Sequence, residues 1–168
     1  MERKNRWPGL ALMAIFGVSL SLMALQAACG DGDSGGSLAP TTRNIYMEAI
    51  EPKGSATIDK EPFPEASLPQ GGGYALKEPD DTGKWEVETY TWSLGQIIVN
   101  EGDTVNLEIL GVNGSRHDSS IEGYVNSFVV ERGKLTSLTF VADKPGVFKI
   151  VCTIHQPSMT GELVVLPS

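Results

Sequence analysis

The stretch GVFKIVCTIHQPSMTGELVV, residues 146 to 165, brings together three side chains that favour soft metal ions. Cys152 is followed by His155 three positions later and by Met159 four positions after that. The whole chain has only two cysteines and two histidines, so one of each is placed in a single short segment. Thiolate, imidazole and thioether groups are soft or borderline donors. The segment therefore indicates a metal site.

The residues before Cys152 have the pattern of a strand. Alternation places Phe148, Ile150 and Cys152 on one side, while Lys149 marks the solvent side. Residues 153 to 158 contain a proline and are predicted to form a loop that turns back into a strand at 162 to 166. The Cys152 side chain then points inward at the end of its strand, and the loop brings His155 and Met159 towards its sulfur.

The remainder of the chain also has the pattern of strands. Period-two alternation occurs at 44 to 50, 84 to 92, 96 to 110, 127 to 142, 147 to 152 and 162 to 167. Within these segments Val105, Leu107 and Ile109 are expected to share an inner face. Residues 61 to 84 hold four of the ten prolines and three consecutive glycines, and are predicted to form a long loop. No segment has a sustained helical period, so an all-β sandwich or barrel is predicted.

The second histidine, His117, supplies a fourth donor. It follows the strand that ends near residue 110, and loops of a sandwich cluster at the two ends of its sheets. His117 can therefore lie beside the loop that carries His155. Two histidines, one cysteine and a weak axial methionine are the donors of mononuclear electron-transfer copper.

This C-terminal segment resembles the closing segment of the cupredoxins, the blue-copper family that includes plastocyanin, amicyanin and pseudoazurin. ADKPGVF, residues 142 to 148, is also typical of that family. The resemblance implies a cupredoxin-like Greek-key β-sandwich or barrel over residues 43 to 168, with a core at about 90 to 168. It also implies one copper ion. The ligands that it implies are His117, Cys152, His155 and Met159.

The sequence departs from the cupredoxin pattern in two places. Asp118 stands where the family commonly has an asparagine that pins the ligand loops. Residues 43 to 89 match no part of the family.

Two related copper centres are alternatives. VADKPGVFKIVC, residues 141 to 152, also resembles the dinuclear copper domain of cytochrome oxidase subunit II and nitrous oxide reductase, but that centre needs a second cysteine in the loop. Nitrosocyanin, a red-copper relative, has a glutamate in place of the first histidine. Glu122, five residues after His117, is the candidate for that role.

The first 28 residues have the layout of an export signal. Three basic residues precede an apolar run that is short for a membrane span, and small residues precede Cys29. Cys29 resembles the lipidated cysteine of bacterial lipoproteins, although Gln26 stands where that family has an aliphatic residue. An uncleaved anchor and an ordinary cleaved signal remain alternatives. Residues 29 to 42 are predicted to be a flexible tether. Every alternative places the domain outside the cytoplasm, on the periplasmic or extracellular face.

The charge of the chain limits its partners. Its net charge is −8, and removal of residues 1 to 28 takes away three basic groups and one acidic group, which gives −10. Nucleic acid is excluded as a partner because its phosphates require Lys and Arg. We expect a monomeric electron carrier rather than an enzyme, tethered to the membrane by lipid. A basic redox partner such as a cytochrome or a terminal oxidase subunit is expected. Copper delivery or buffering for an oxidase, and catalysis at an open red-type centre, are the alternatives.

Overall fold

The computed structural model describes residues 38–168, and this part of the chain is built from strands without a helix. The strands are β1 Thr42–Ile50, β2 Lys53–Thr57, β3 Tyr74–Lys77, β4 Lys84–Thr89, β5 Thr91–Trp92, β6 Gln96–Asn100, β7 Thr104–Gly111, β8 Arg116–Ile121, β9 Val125–Glu131, β10 Leu135–Val141, β11 Gly146–Cys152 and β12 Thr160–Leu166. The prediction of an all-β fold is confirmed.

Two of the sheets form a sandwich. One has the strand order β10-β7-β1-β5 and the other has the order β6-β12-β11-β8-β9. β1 runs parallel to β7, and β12 runs parallel to β6, while the other neighbours in these two sheets are antiparallel. Parallel neighbours cannot be joined by a hairpin, so the chain crosses between the sheets. Residues distant in sequence consequently meet at the ends of the sandwich.

A single apolar core fills the space between these sheets. Alternate residues of β7 point inward, and Val105, Leu107 and Ile109 are completely buried, as predicted from the alternation. Both sheets contribute to the cluster, whose further members include Met47, Ala49, Trp92, Ile97, Val99, Ile121, Val130, Ile150, Leu163 and Val165. Burial of each such aliphatic side chain stabilises the fold by roughly 1.5 to 3 kcal/mol.

A third, smaller sheet has the strand order β2-β4-β3 and lies in the chain between β1 and β5. The prediction of one continuous strand over residues 84 to 92 was wrong, because β4 belongs to the small sheet and β5 pairs with β1. Tyr90 is the residue between them. The predicted loop over 61 to 84 was also partly wrong, since it contains β3. That short strand is formed by pairing with β4, a long-range contact that local composition does not reveal.

The segment that carries His117 is a strand, β8, which was not among the segments predicted from alternation. Its sequence, RHDSSI, is largely polar and weak in strand-forming residues. It becomes a strand because it is paired on one side with β9 and on the other with β11. This pairing places His117 in the interior of the sandwich.

The N-terminal predictions are largely beyond the described part of the chain. The predicted signal at 1 to 28 and Cys29 lie outside it, as does most of the predicted tether. β1 begins at Thr42, the last residue of that predicted tether. Between residues 38 and 168 there is no helix of the length and apolarity that a membrane crossing requires.

Candidate metal centre

Three potential metal donors converge at one end of the sandwich. The donor atoms of His117, Cys152 and His155 all lie within 4.8 Å of one another. His117 Nδ1 is 3.1 Å from His155 Nδ1, and Cys152 Sγ is 3.4 Å from the same nitrogen of His155. His117 and Cys152 are completely buried, while His155 is half-buried. The structure therefore brings together three of the four residues that were predicted as ligands.

The pairing of β8 with β11 brings two of the donors together. Cys152 is directly opposite Ser119, and His117 lies two residues before Ser119 on the same face of β8. The backbone beyond Cys152 is tied to β8 as well, because the Thr153 N–H and hydroxyl both donate to the Asp118 carbonyl, at 2.8 and 3.1 Å. The ligand loop, residues 153 to 159, therefore starts from a fixed position beside His117.

Asp118 takes part in this pinning through its backbone. Its side chain forms an ion pair with Arg116 at 2.7 Å on the outside of the sheet. The loop is held instead by the Asp118 carbonyl, which any residue possesses. The departure from the asparagine of the cupredoxin pattern therefore leaves the loop attached by other atoms.

The orientation of the His117 ring is fixed by a carbonyl group. His117 Nε2 lies 3.1 Å from the Asn113 carbonyl oxygen. Because a carbonyl can only accept a hydrogen bond, Nε2 carries the proton and Nδ1 presents its lone pair to the other donors. Gly114, at a φ of +76°, allows this approach, since a Cβ there would lie 2.8 Å from the imidazole of His117.

The His155 ring is held by stacking on Tyr90. The two rings are parallel within 4° and their centroids are 3.7 Å apart. Hydrogen bonding to the neighbouring Glu51 carboxylate, together with burial, raises the pKa of Tyr90 to about 12. Burial favours a higher pKa for Glu51, but hydrogen bonds from Tyr90 and Lys53 bring it below its ordinary value. A buried carboxylate thus anchors the tyrosine that positions the imidazole.

The electrostatic environment favours the protonation states that a metal requires in the histidines. Burial lowers the pKa of His117. Burial and the neighbouring His117 lower the pKa of His155. Both imidazoles are therefore neutral at neutral pH and have lone pairs for a cation.

The Cys152 thiol needs a cation to become a thiolate. Burial raises its pKa, although the backbone amides of Ile154 and His155 and the Ser119 hydroxyl act in the opposite direction. Ser119 Oγ is buried and makes no hydrogen bond in the structure, so its hydroxyl is free to donate to the sulfur once that is a thiolate. A metal ion offsets the cost of the buried negative charge, and binding releases the thiol proton.

Met159 is completely buried at the far end of the ligand loop. Its carbonyl accepts the N–H of Cys152 at 3.0 Å, and its own N–H donates to the His155 carbonyl at 3.0 Å. These two bonds close the loop and hold the backbone of Met159 next to the backbones of Cys152 and His155. Its role as the axial ligand remains a prediction.

The donor set fits copper. Histidine nitrogen and cysteine sulfur bind such ions at about 2.0 to 2.3 Å, so two donors of one ion lie roughly 3 to 4 Å apart. The separations of 3.1 and 3.4 Å have this size. Calcium and magnesium are disfavoured because they take oxygen ligands. Two imidazoles with one thiolate, and a thioether nearby, are the donors associated with electron-transfer copper.

The two alternative centres have less support from the positions of their residues. Glu122 lies at the opposite end of β8 from His117, is exposed, and accepts the Lys149 N–H. It is therefore not part of the cluster. Cys152 is the single cysteine of the described residues and is a free thiol, so the bridging pair of a dinuclear centre is not formed there.

Several residues of the site had no signal in the sequence. They are Glu51, Gly71, Gly72, Gly73, Tyr90, Asn113 and Ser119. Apart from Asn113, which contacts His117 four residues later, they act through neighbours that are distant in sequence, so no local motif contains both partners. Tyr90 lay inside the single strand predicted over 84 to 92, so its place between β4 and β5 emerged only from the structure.

Comparison with known proteins gives a partial match. The chain is 31% identical over 110 residues to the nitrous-oxide reductase of Ralstonia nicotianae (strain ATCC BAA-1114 / GMI1000), and the match covers 63% of this chain. It spans 17% of that enzyme, so the chain corresponds to about a sixth of its curated relative. No protein-family model matches the chain.

Two solved structures are similar in part. The multicopper oxidase mgLAC has a TM-score of 0.49 at 17% identity, covering 76% of this chain and 39% of the oxidase. Auracyanin A, a blue copper protein of Chloroflexus aurantiacus, has a TM-score of 0.39 at 18% identity, covering 45% of this chain and 88% of auracyanin.

The sandwich of two sheets and the buried cluster of donors agree with the fold and the cofactor that the sequence predicted. The chain has a cupredoxin-like fold, and copper is the ion that its His-Cys-His cluster fits.

Proposed function

We propose that this protein is a one-electron carrier with a single copper ion held by His117, Cys152, His155 and Met159. The observation that carries the proposal is the cluster of three donor side chains, already assembled on buried strands and a closed loop. Copper supplies the change between its singly and doubly charged states when it is bound.

The protein's own contribution is a site that holds its donors in fixed positions. His117 is oriented by the Asn113 carbonyl and His155 by the Tyr90 ring. Cys152 is fixed by the pairing of β8 with β11. Donors fixed in this way move little when the charge of the ion changes, which favours rapid electron exchange.

The His155 imidazole is the proposed port for electrons. It is the least buried of the three clustered donors, and Ile154 beside it is 43% exposed. A small apolar surface of this kind suits a transient redox encounter, which uses an interface below about 1,200 Å². The acidic chain, with a net charge of −8, favours a basic partner such as a cytochrome or an oxidase subunit.

The N-terminal sequence supports a location for this activity on the outer face of a membrane. A lipid on Cys29 would hold the domain on the outer face of the membrane, and the glycine-rich residues that follow would let it move towards a partner. Intact-mass measurement of the protein from membranes, with Cys29→Ser for comparison, tests this part. A diacylglyceryl mass that persists in the Cys29→Ser protein would contradict it.

The electron-transfer proposal is tested by spectroscopy of the copper(II)-loaded protein. We expect one copper per chain and an intense visible band from thiolate-to-copper charge transfer, lost in Cys152→Ser. His117→Ala should also lose it, while Arg116→Ala, one residue away and exposed, should keep it. A colourless protein with no stoichiometric copper would refute the proposal. A red colour with azide binding would favour an open centre, and rapid loss of copper to a chelator would favour delivery.

A further inference from the structure

Three consecutive glycines of the small-sheet region lie along the ligand loop. We name residues 71–73 the strap. The Gly73 N–H donates to the Gln156 carbonyl at 2.9 Å, and the Gln156 N–H donates to the Gly71 carbonyl at 2.9 Å. These reciprocal bonds form a short parallel bridge between Gly72 and Gln156. The loop between Cys152 and Met159 is thereby paired with backbone from a segment more than 80 residues earlier.

The strap approaches the loop so closely that no side chain fits between them. A Cβ on Gly73 would lie 2.3 Å from Ser158 Oγ and 2.7 Å from the His155 carbonyl oxygen. On Gly72 it would lie 2.7 Å from the Ile154 carbonyl oxygen, and on Gly71 it would lie 2.6 Å from that of Gln156. Backbone-to-backbone packing of this kind requires glycine.

The same strap also supports the ring that stacks on His155. The Gly73 carbonyl accepts two hydrogen bonds, one from the Ser158 hydroxyl at 2.7 Å and one from the Tyr90 N–H at 2.9 Å. One atom of the strap thus joins the ligand loop to Tyr90. His155 is consequently held by the strap through its backbone neighbours and through its stacking partner.

The small sheet holds the strap in place. β3 begins at Tyr74, directly after Gly73, and pairs with β4 along its length. On β4, Trp85 is buried, packs edge-on against Phe63 with ring centroids 6.0 Å apart, and donates its Nε1–H to the Glu61 carbonyl. The segment before the strap is therefore anchored through Phe63 and Glu61, and the segment after it through β3.

We propose that the strap locks the ligand loop, so that residues 53–90 are a working part of the metal centre rather than an appendage. This inference rests on the proposed function for its consequence, which is slow loss of copper. Loss of the ion requires the ligand loop to open, and opening breaks the strap bonds at Gln156 and Ser158. The strap residues are positioning residues, because they act on His155 through other groups.

Gly73→Ala is the principal test, with Gly95→Ala as its matched control. Gly73 has no unusual backbone angle in the structure, so the added methyl acts through its contacts. A Cβ on Gly95 meets nothing within 4 Å. In copper-free protein, the Gln156 amide should exchange with deuterium about tenfold faster in Gly73→Ala. In copper-loaded protein, transfer to a chelator should accelerate by about the same factor, with both rates unchanged in Gly95→Ala.

Ser158→Ala tests the same contact without added bulk. It removes the hydrogen bond to the Gly73 carbonyl, and we expect amide exchange at Gln156 and copper transfer to accelerate by about threefold to tenfold. This variant gives the answer if Gly73→Ala fails to fold. Unchanged rates in Ser158→Ala, or equal rates in Gly73→Ala and Gly95→Ala, would overturn the proposal.

The two proposals fail separately. Amide exchange in the copper-free protein reports on the strap even if no copper binds. A wild-type protein with a protected Gln156 amide and no copper uptake would refute the proposed function and leave the lock intact. A coloured wild-type protein with a rapidly exchanging Gln156 amide would refute the role of the strap and leave the proposed function intact.

Discussion

The sandwich and the small sheet differ in what stabilises them. The sandwich buries a continuous apolar cluster between two sheets. The small sheet has Trp85 as its buried strand residue and carries a row of surface ion pairs, including Lys53–Glu88, Lys77–Glu86 and Lys84–Glu86. Exposed ion pairs contribute little to stability, so the small sheet depends on its backbone pairing and its contacts with the ligand loop.

The two regions contribute to the candidate copper site in different ways. The sandwich supplies the side chains of the candidate copper site, from β8, β11 and the ligand loop. The small-sheet region supplies backbone groups and the Tyr90 ring, which hold the loop from outside. A change in the first region should therefore alter global stability or the donors, while a change in the second should alter how long the loop stays closed.

The largest effect on stability is expected in the core. Leu107→Ala leaves a cavity where the side chain is completely buried and should lower the free energy of unfolding by about 2 to 5 kcal/mol. Leu76→Ala, on the half-buried β3, should lower it by about 1 kcal/mol. Urea unfolding of both variants measures the difference. Equal losses would show that the two regions share one core, contrary to the comparison.

The next effect concerns a buried carboxylate at the end of β7 remote from the metal donors. Asp103 accepts hydrogen bonds from the Asn100 and Thr41 amides and from Arg43, and these lower its pKa below the ordinary 3.8. A lowered pKa contributes stability at pH values above about 4 that is lost as the pH falls through the folded-state pKa. Asp103→Asn should therefore lower the melting temperature by several degrees at pH 7, and the difference should shrink below pH 4.

Glu65→Gln in the small-sheet region is the control for that measurement, since Glu65 is exposed. A melting difference between wild type and Asp103→Asn that stays constant from pH 7 to pH 2.5 would show that the ionised form of Asp103 is not what stabilises this end of the sandwich.

A smaller effect is expected on the reduction potential. The Ser119 hydroxyl lies beside the Cys152 sulfur, and a hydrogen bond to the thiolate favours the reduced ion, in which the sulfur is more negative. Ser119→Ala should lower the potential by an amount on the order of 50 mV, measured by voltammetry. Ser120→Ala, on the opposite face of β8, serves as the control, and an equal shift in both would assign the change to the strand rather than to the hydroxyl.

The smallest effect is expected from the surface of the small sheet. Lys77 is 62% exposed and lies 2.9 Å from Glu86. Lys77→Met should leave the urea midpoint and the copper-transfer rate unchanged, because solvent screens the pair and the backbone pairing of β3 remains. A measurable acceleration of copper transfer would show that the ion pairs help to hold the strap.

Local sequence was sufficient to predict burial along the strands and the metal-binding loop, because these features depend on residues that are close together in the chain. Alternation along β7 and β11 predicted which side chains are buried, since a strand with one wet face must alternate. The spacing of Cys152, His155 and Met159 predicted a metal loop, because these donors are few and are placed together.

Tertiary structure decided the parts in which a residue takes its role from a distant partner. β8 is a strand because two neighbours pair with it, despite its polar sequence. The glycines at 71–73, read locally, predicted only a loop, yet they are required by the close approach of the ligand loop. Tyr90 lies between β4 and β5, which belong to different sheets, and its ring stacks on His155. Hydrogen-bonding and stacking partners separated by tens of residues are selected by the packing of the whole chain, and local sequence has no access to that packing.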